Sequence, residues 1–440
     1  MFRKLLLPIS TVLTLLAVIS YQGCHLYSSA ADLGSPVQPG SGIKSAQQNL
    51  FPSSEPEDPS SLLSTVSLWH AWTENETEAL DEVIAAFQTY HPEVSFEVQH
   101  VPFDDLRSTF ELAASAGGGP SVLIGPVDWG SALYDAGYIA DLSGFASSSF
   151  LATINEAALG AVQYRGALIG LPETIKGVVM LRNTDIIADA PATYEDLVAA
   201  AQAATAGDIV GANLERGFFF SAGHLHGLGG QLMNVIGCPT FNTSTGVEWL
   251  NLLDSFTDAG PAEYFTDNDV DLFKTGQAGI IIDGTWNMAS LAEAVGAEKL
   301  SIDPWPTPLS GYVQTENIHL NANAEGDEQT AAWAFMEFFL SSEAQELLLD
   351  AGHIPSVLGV TIVDPLMQQA IDALAGGTSF PILPQLAAYW EPMDTALQSV
   401  FDDTATPSEA LEQAYDSVLQ AIRVMGFDCG QVFLPIVLRE

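Results

Sequence analysis

Four side chains with recognisable binding chemistry stand where apolar runs end: Trp72, Asp128, Trp129 and Trp286. An indole offers a flat apolar face and one N–H donor, and a carboxylate accepts several hydrogen bonds at once. Such a set grips a ligand without breaking bonds. Glu74 follows the first of these ends and has either a ligand hydroxyl or a helix start as its partner. Motifs for bond-breaking are missing: there is no nucleophile elbow, zinc-protease motif or phosphate loop. Ser41-Gly42-Ile43-Lys44-Ser45 lacks the glycine spacing of such a loop. His224-Leu225-His226 has no third ligand at metal spacing and reads as a surface or cleft-lining pair.

The elements that must position these residues alternate. Val66 and Leu68 belong to a short strand that runs into Trp69-His70-Ala71-Trp72, and Thr73 with Glu76 has capping-box spacing. Leu80, Val83, Ile84 and Phe87 recur at helical spacing up to His91-Pro92. Val94, Phe96 and Val98 alternate as a strand, and a helix follows from about Phe103 to Ala116. Ser121 to Ile124 is a buried strand opening onto Asp128-Trp129, as the run Gln277 to Asp283 opens onto Gly284-Thr285-Trp286. Asp327 is expected to cap a helix through Phe339, with Ser341 or Ser342 starting the next. Strand–helix alternation predicts an α/β fold with a mainly parallel sheet covered on both faces. Ligands bind such sheets beyond the carboxyl ends of the strands, where the four residues stand.

Composition narrows the class. A chain of 440 residues exceeds one hydrophobic core, so two lobes are expected. It carries 55 acidic residues against 12 Lys and Arg, a net charge of −43, which repels phosphate backbones and excludes nucleic acid as a partner. A halophilic setting would explain the acidity but not the 48% hydrophobic content; an acidic setting fits both. Arg3 and Lys4 before the apolar run Leu5 to Ile19 read as an export signal, residues 1–23. Two endings remain open, a lipoprotein site at Gly23-Cys24 and a cut after Ser28-Ser29-Ala30. Residues 24–63 are rich in Ser, Pro, Gly and Gln and form a flexible tether. Cys238 and Cys429 either pair in an oxidising exterior or are two separate buried thiols.

Five blocks in order carry a resemblance. They are Ser67 to Trp72; Gly117-Gly118-Gly119-Pro120-Ser121-Val122; Gly170-Leu171-Pro172-Glu173 with Leu181-Arg182-Asn183; Phe273 to Ala278 continuing to Gly284-Thr285-Trp286; and Phe380 to Gln385 with Trp390. Together the region from Thr65 to Ile422 resembles the extracellular solute-binding proteins of ABC importers that include maltose- and maltodextrin-binding proteins. Ser121 replaces the usual Asp of its block, and Arg182 the usual Tyr. The resemblance implies a periplasmic-binding-protein-like fold, with two lobes joined by hinge strands. Lobe one takes 64–172 plus 314–363, lobe two 173–313 plus 364–425, and a C-terminal extension 426–440. Its apolar Val432-Phe433-Leu434 is expected to dock on the surface, with a Cys238–Cys429 disulfide as a possible staple.

The implied ligand is a carbohydrate, and the implied partner an ABC permease, with no cofactor, no metal and a monomeric, extracytoplasmic chain. Sugars have apolar CH faces and rings of hydroxyls, which aromatic and planar polar side chains match. The resemblance makes Trp286 and Trp390 the stacking platforms and Phe219, within Phe218-Phe219-Phe220, a further one. Glu173 is a further candidate at the entry to lobe two. Lys176 beside it either binds an acidic sugar or neutralises Glu173, the latter being favoured. Two alternatives stay beside the sugar binder: the same fold holding a peptide, polyamine or iron, and a glycoside hydrolase using two of the many carboxylates. Mass spectrometry of the mature N-terminus tests the tethering expectation: an acylated Cys24 places the chain on a membrane, and Ala31 as first residue makes it freely secreted.

Overall fold

The computed structural model describes residues 64–72, 74–263 and 268–430. Cys24, the tether and Val432-Phe433-Leu434 lie outside the described residues, as does the side chain of Glu74. The first lobe opens with strand β1 (Ser64–His70), helix α1 (Glu74–Tyr90), β2 (Val94–His100), α2 (Phe103–Ser115), β3 (Val122–Pro126) and α3 (Val127–Asp135). β1 lies between β2 and β3, parallel to both, with Leu68 opposite Val98 on one side and Val122 on the other. Val66, Leu68, Val122 and Ile124 are fully buried and meet Leu80, Val83 and Phe87 from α1 in one core. Ser67 and Ser121 exchange N–H to Oγ bonds of 2.8 and 2.9 Å, so the serine standing for the usual aspartate pins β3 to β1.

Two long strands then tie the halves together. β4 (Leu171–Asn183) pairs through its first half with a later strand and through Val178–Arg182 with residues Ile280–Gly284. β5 (Val210–Glu215), β6 (Ala278–Gly284) and β7 (Leu300–Asp303) belong to the second lobe, β5 and β6 being parallel. Every residue of β6 is buried, as befits a central strand covered on both faces. β8 (Tyr312–Leu320) returns to the first lobe, antiparallel to β4 over Val313–Ile318 and to β3 over Glu316–Leu320. β4 and β8 are therefore the crossing strands. Gly177 lies at the middle of β4, where an added Cβ would collide with the Tyr312 carbonyl of β8, so the close approach requires glycine.

The remaining helices cover these sheets. α4 (Phe218–Gly227) and α5 (Met288–Val295) flank the second lobe; α6 (Gly326–Phe339) packs Phe335 and Phe339 into the first; α7 (Trp390–Phe401) and α8 (Pro407–Val424) close the second. The α6 start differs from the sequence expectation. Its N-cap is Glu325 rather than Asp327, because Gln329 closes the turn on the Ala324 carbonyl and the helix opens earlier. Ser341 does cap the next helix, accepting from the Ala344 N–H. Cys238 and Cys429 are joined, their Cα atoms 5.5 Å apart, which places the start of the C-terminal extension against the second lobe. None of the described helices is long and apolar enough to cross a membrane.

Arg182 has a structural explanation. Its guanidinium makes two bonds of 2.6 and 3.0 Å to Asp303 on the neighbouring β7 and donates to the carbonyls of Ile187 and Ala188. Both partners are about 6–7% exposed, so losing one strands a buried charge. Arg182→Met is expected to cost about 3–5 kcal/mol in denaturant unfolding, and a second change, Asp303→Leu, to recover much of it.

Candidate functional site

The site is built where strands of both lobes end. In the second lobe β6 stops at Gly284, and the Trp286 indole lies directly over that residue, where a Cβ would occupy the ring. Phe219 and Phe220, in the first turn of α4, are set 6.0 and 6.3 Å from Trp286 between ring centroids. Trp390, at the first position of α7, is nearly parallel to Phe219 at 6.3 Å, and Phe380 closes the group at 5.6 Å from Phe219. Trp286, Phe219, Phe220 and Trp390 are half-buried, whereas Phe380 is fully enclosed. Four separate segments thus converge on one aromatic wall.

The first lobe repeats the device. β3 ends near Gly125, and the Trp129 indole crosses that glycine, whose Cβ would come 2.7 Å from the ring. Phe103, the first residue of α2, is exposed and sits 5.5 Å from Trp129. Asp128 is half-buried beside them. Burial pushes its carboxyl up to about 6, against the opposing pull of Arg107 and Lys176.

Between the two walls run the crossing strands, and their polar groups form the floor. Lys176 of β4 bonds Glu316 of β8 at 2.5 Å, with 15% and 7% of the side chains exposed. The same carboxylate oxygen accepts the Trp72 N–H at 3.2 Å. The ammonium also lies 5.6 Å from the Trp286 ring centroid. Burial alone would lower the Lys176 pKa, but Glu316, Glu76 and Glu173 together raise it. Lys176 does not neutralise Glu173 as the sequence suggested. Glu173 is the extra residue where the ladder slips between Thr174 and Pro172 and it turns to His353, while the diagonal neighbour of Lys176 is Glu316, two residues from Gln314 opposite it.

Glu173 is fully buried and faces His353 at 3.1 Å; the other ring nitrogen of His353 meets Glu76 at 3.2 Å. Burial drives the Glu173 carboxyl up to about 7, with His353 pulling the other way. Burial also works against a charge on His353, yet Glu173 and Glu76 outweigh it and hold its pKa at about 10. Trp72 is 3% exposed and packs edge-on against His353 at 4.7 Å.

A family profile described as bacterial extracellular solute-binding protein matches residues 82–371. The chain belongs to this family. Relatives include the maltotriose-binding protein of Pyrococcus abyssi, 23% identical over 77% of this chain and 78% of that protein. The galactooligosaccharide-binding protein of Bacillus subtilis is 24% identical over 80% of this chain and 89% of its own length. Among solved structures, the maltose/maltodextrin-binding domain of Bdellovibrio bacteriovorus bound to maltotriose superposes with a TM-score of 0.74, at 23% identity, covering 82% of this chain and all of that one.

Of the expected site residues of this solute-binding protein, Trp286, Trp390 and Phe219 come together on one wall, and Asp128 adjoins Trp129 in the chain on the other. Trp129 is 6% exposed and offers little besides an edge beneath Phe103. Trp72 and Glu173 lie behind the floor and hold Glu316 and His353. His224 is buried, accepting from the Ser310 N–H, and the half-buried His226 stands by the Tyr312 hydroxyl. Sequence reasoning missed Glu316, His353, Phe103 and Phe380. Glu316 left a trace, since β8 carries Gln314, Glu316 and His319 within a run destined for burial.

These shifts fix how stability depends on pH. His353, raised above its unfolded value, contributes stability that is complete below about pH 6.5 and lost as pH climbs toward 10. Glu173 and Asp128, also raised, lose theirs as pH rises through about 7 and 6. His224 and His319, lowered by burial to about 4, act oppositely between pH 6.5 and 4. The unfolding midpoint is therefore expected to fall steadily from pH 7 to 10, and His353→Gln to flatten that limb in thermal melts.

Proposed function

We propose that this protein captures a neutral oligosaccharide of maltodextrin type in the cleft between its lobes and hands it to the permease of an ABC importer. It works outside the cytoplasmic membrane, held there through a lipid on Cys24. The observation that carries this reading is the wall of Phe219, Phe220, Trp286 and Trp390, backed by the enclosed Phe380, whose neighbouring rings are 5.2–6.3 Å apart. Flat faces in that number match the apolar side of a sugar ring. Relatives named for maltotriose and galactooligosaccharide binding support the same ligand class.

Charge supports neutrality of the ligand. In a chain with only 12 basic residues, Lys176 and a protonated His353 stand against Glu316, Glu173 and Glu76 in this one region, with Arg107, paired to Glu111, near Asp128. The floor is nearly balanced, while the chain as a whole carries −43. A polyamine would gain little there over any other surface, and an anion would meet the surrounding field. Two carboxylates of the floor are committed, Glu173 to His353 and Glu316 to Lys176 and Trp72, so neither is free to serve a hydrolase. Trp72 and Glu173 thus support the floor and Trp129 sits beneath Phe103, whereas Trp286, Trp390, Phe219 and Asp128 face the ligand.

A thermal-shift screen of the purified chain against mono- and oligosaccharides finds the ligand, since binding to the folded state raises the midpoint. With it in hand, Trp286→Ala and Trp390→Ala are each expected to lose roughly 1.5–4 kcal/mol of binding, about 10- to 1000-fold in Kd, with the fold retained. Lost stability of about 3–5 kcal/mol with unchanged affinity would instead make the ring part of the core.

A further inference from the structure

Helix α4 carries two rings of the aromatic wall and begins without a cap of its own. Its N-cap is Gly217, which has no side chain to offer the first N–H groups. Glu215, at the end of β5, takes the Gly217 N–H. The Phe218 N–H is taken by another element: Asp394 of α7 accepts it at 3.3 Å, across 176 positions of the sequence. A carboxylate at that point also meets the positive end of the α4 dipole. On α7, Trp390, Asp394, Leu397 and Phe401 recur at helical spacing and form one stripe. Trp390 packs edge-on against Phe218 at 5.3 Å and nearly parallel to Phe219. Leu397 is fully buried in the core of the second lobe, and Phe401 lies under the Arg216 guanidinium at 3.7 Å. One face of α7 is thus fitted to the turn that joins β5 to α4, with the Asp394 bond in its midst.

We propose that Asp394 is a positioning residue of the binding wall: by capping α4 from α7 it locks Trp390 and Phe219 into the near-parallel pair, 6.3 Å apart, against which a ligand ring lies. The ligand half of this rests on the sugar reading above. Trp390 stands one helical turn before Asp394 on the same face, and Phe219 follows Phe218 directly. The bond therefore ties together the two turns that carry the rings. Hydrophobic contact is non-directional, whereas a hydrogen bond fixes an angle as well as a distance. A slip of α7 by a single residue turns its side chains by about 100° and moves them about 1.5 Å, which takes the indole out of line with Phe219. Asp394 acts through these two rings.

The chain labelled with 5-fluorotryptophan gives a fluorine resonance for each of its 8 tryptophans, and Trp390→Phe identifies that of residue 390. Spectra, unfolding midpoints and calorimetric affinities for maltotriose are compared for the wild type, Asp394→Ala, Asp394→Ser and Asp394→Asn. The serine hydroxyl falls one bond short of the Phe218 N–H, whereas asparagine keeps an acceptor oxygen at the helix start. The Ala and Ser variants are expected to shift or broaden the Trp390 resonance, leave that of Trp333 in the first lobe in place, and bind maltotriose about 10-fold more weakly; Asp394→Asn is expected to stay within about threefold of the wild type. A lowered midpoint with the Trp390 resonance and the affinity unmoved makes the bond a cap and nothing more, and overturns the proposal. An Asn variant that falls as far as Ala and Ser overturns it as well. A wild type that binds no maltotriose overturns the maltodextrin reading, while the fluorine spectra of the ligand-free chain still decide the role of Asp394.

Discussion

A carboxylate placed between two strands organises the centre of this molecule. Glu316 stands on one crossing strand, takes the ammonium of Lys176 from the other, and is held from behind by Trp72. Were any of the three removed, a polar group would be left buried beside the junction of the lobes, a loss worth more than the bond itself. The second cluster follows the same logic one layer deeper. His353 can remain charged in a buried position because Glu173 and Glu76 flank it, and Trp72 packs against its ring. The two clusters share Trp72, which explains why an indole at the end of β1 is enclosed and not presented to the cleft.

The walls of the cleft obey steric rules more than electrostatic ones. A strand that ends in glycine exposes bare backbone, and an indole can lie flat on it. Gly284 under Trp286 and Gly125 under Trp129 are the same solution in the two lobes. A methyl group at either position would lift the ring and turn its face. Phe219 and Trp390 need no such seat, because each opens a helix and projects from its first turn toward the strand ends.

Much of this was legible in the sequence, and the boundary is physical. Strand–helix alternation from Thr65 onward, the apolar run of β6 and the tryptophans at strand ends are local patterns, and each led to its element. The grouping of Phe219, Trp286 and Trp390 needed the resemblance, since these segments lie up to about 170 residues apart. Long-range polar pairing was not legible. Lys176 finds Glu316 140 positions away, and Glu173 finds His353 180 positions away; neither pairing leaves a local trace. Naming the true partner of Lys176 required the register of β4 with β8, including the slip at Glu173 that no sequence pattern shows. The Arg182 departure from its family block was equally opaque until Asp303 appeared on the adjoining strand.

The strongly acidic surface and the balanced floor are two parts of one electrostatic design. Mutual repulsion among surface carboxylates weakens as pH falls, and the raised carboxyls of Asp128 and Glu173 lose their burial penalty over the same range. The His353 charge, by contrast, is complete throughout that range and needs no adjustment. In mild acid, where the exterior is least strained, Glu173 and Asp128 take up protons and His353 keeps Glu76 as its partner. Neutral ligands suit such a site, because their affinity does not ride on a surface charge that changes with the surroundings.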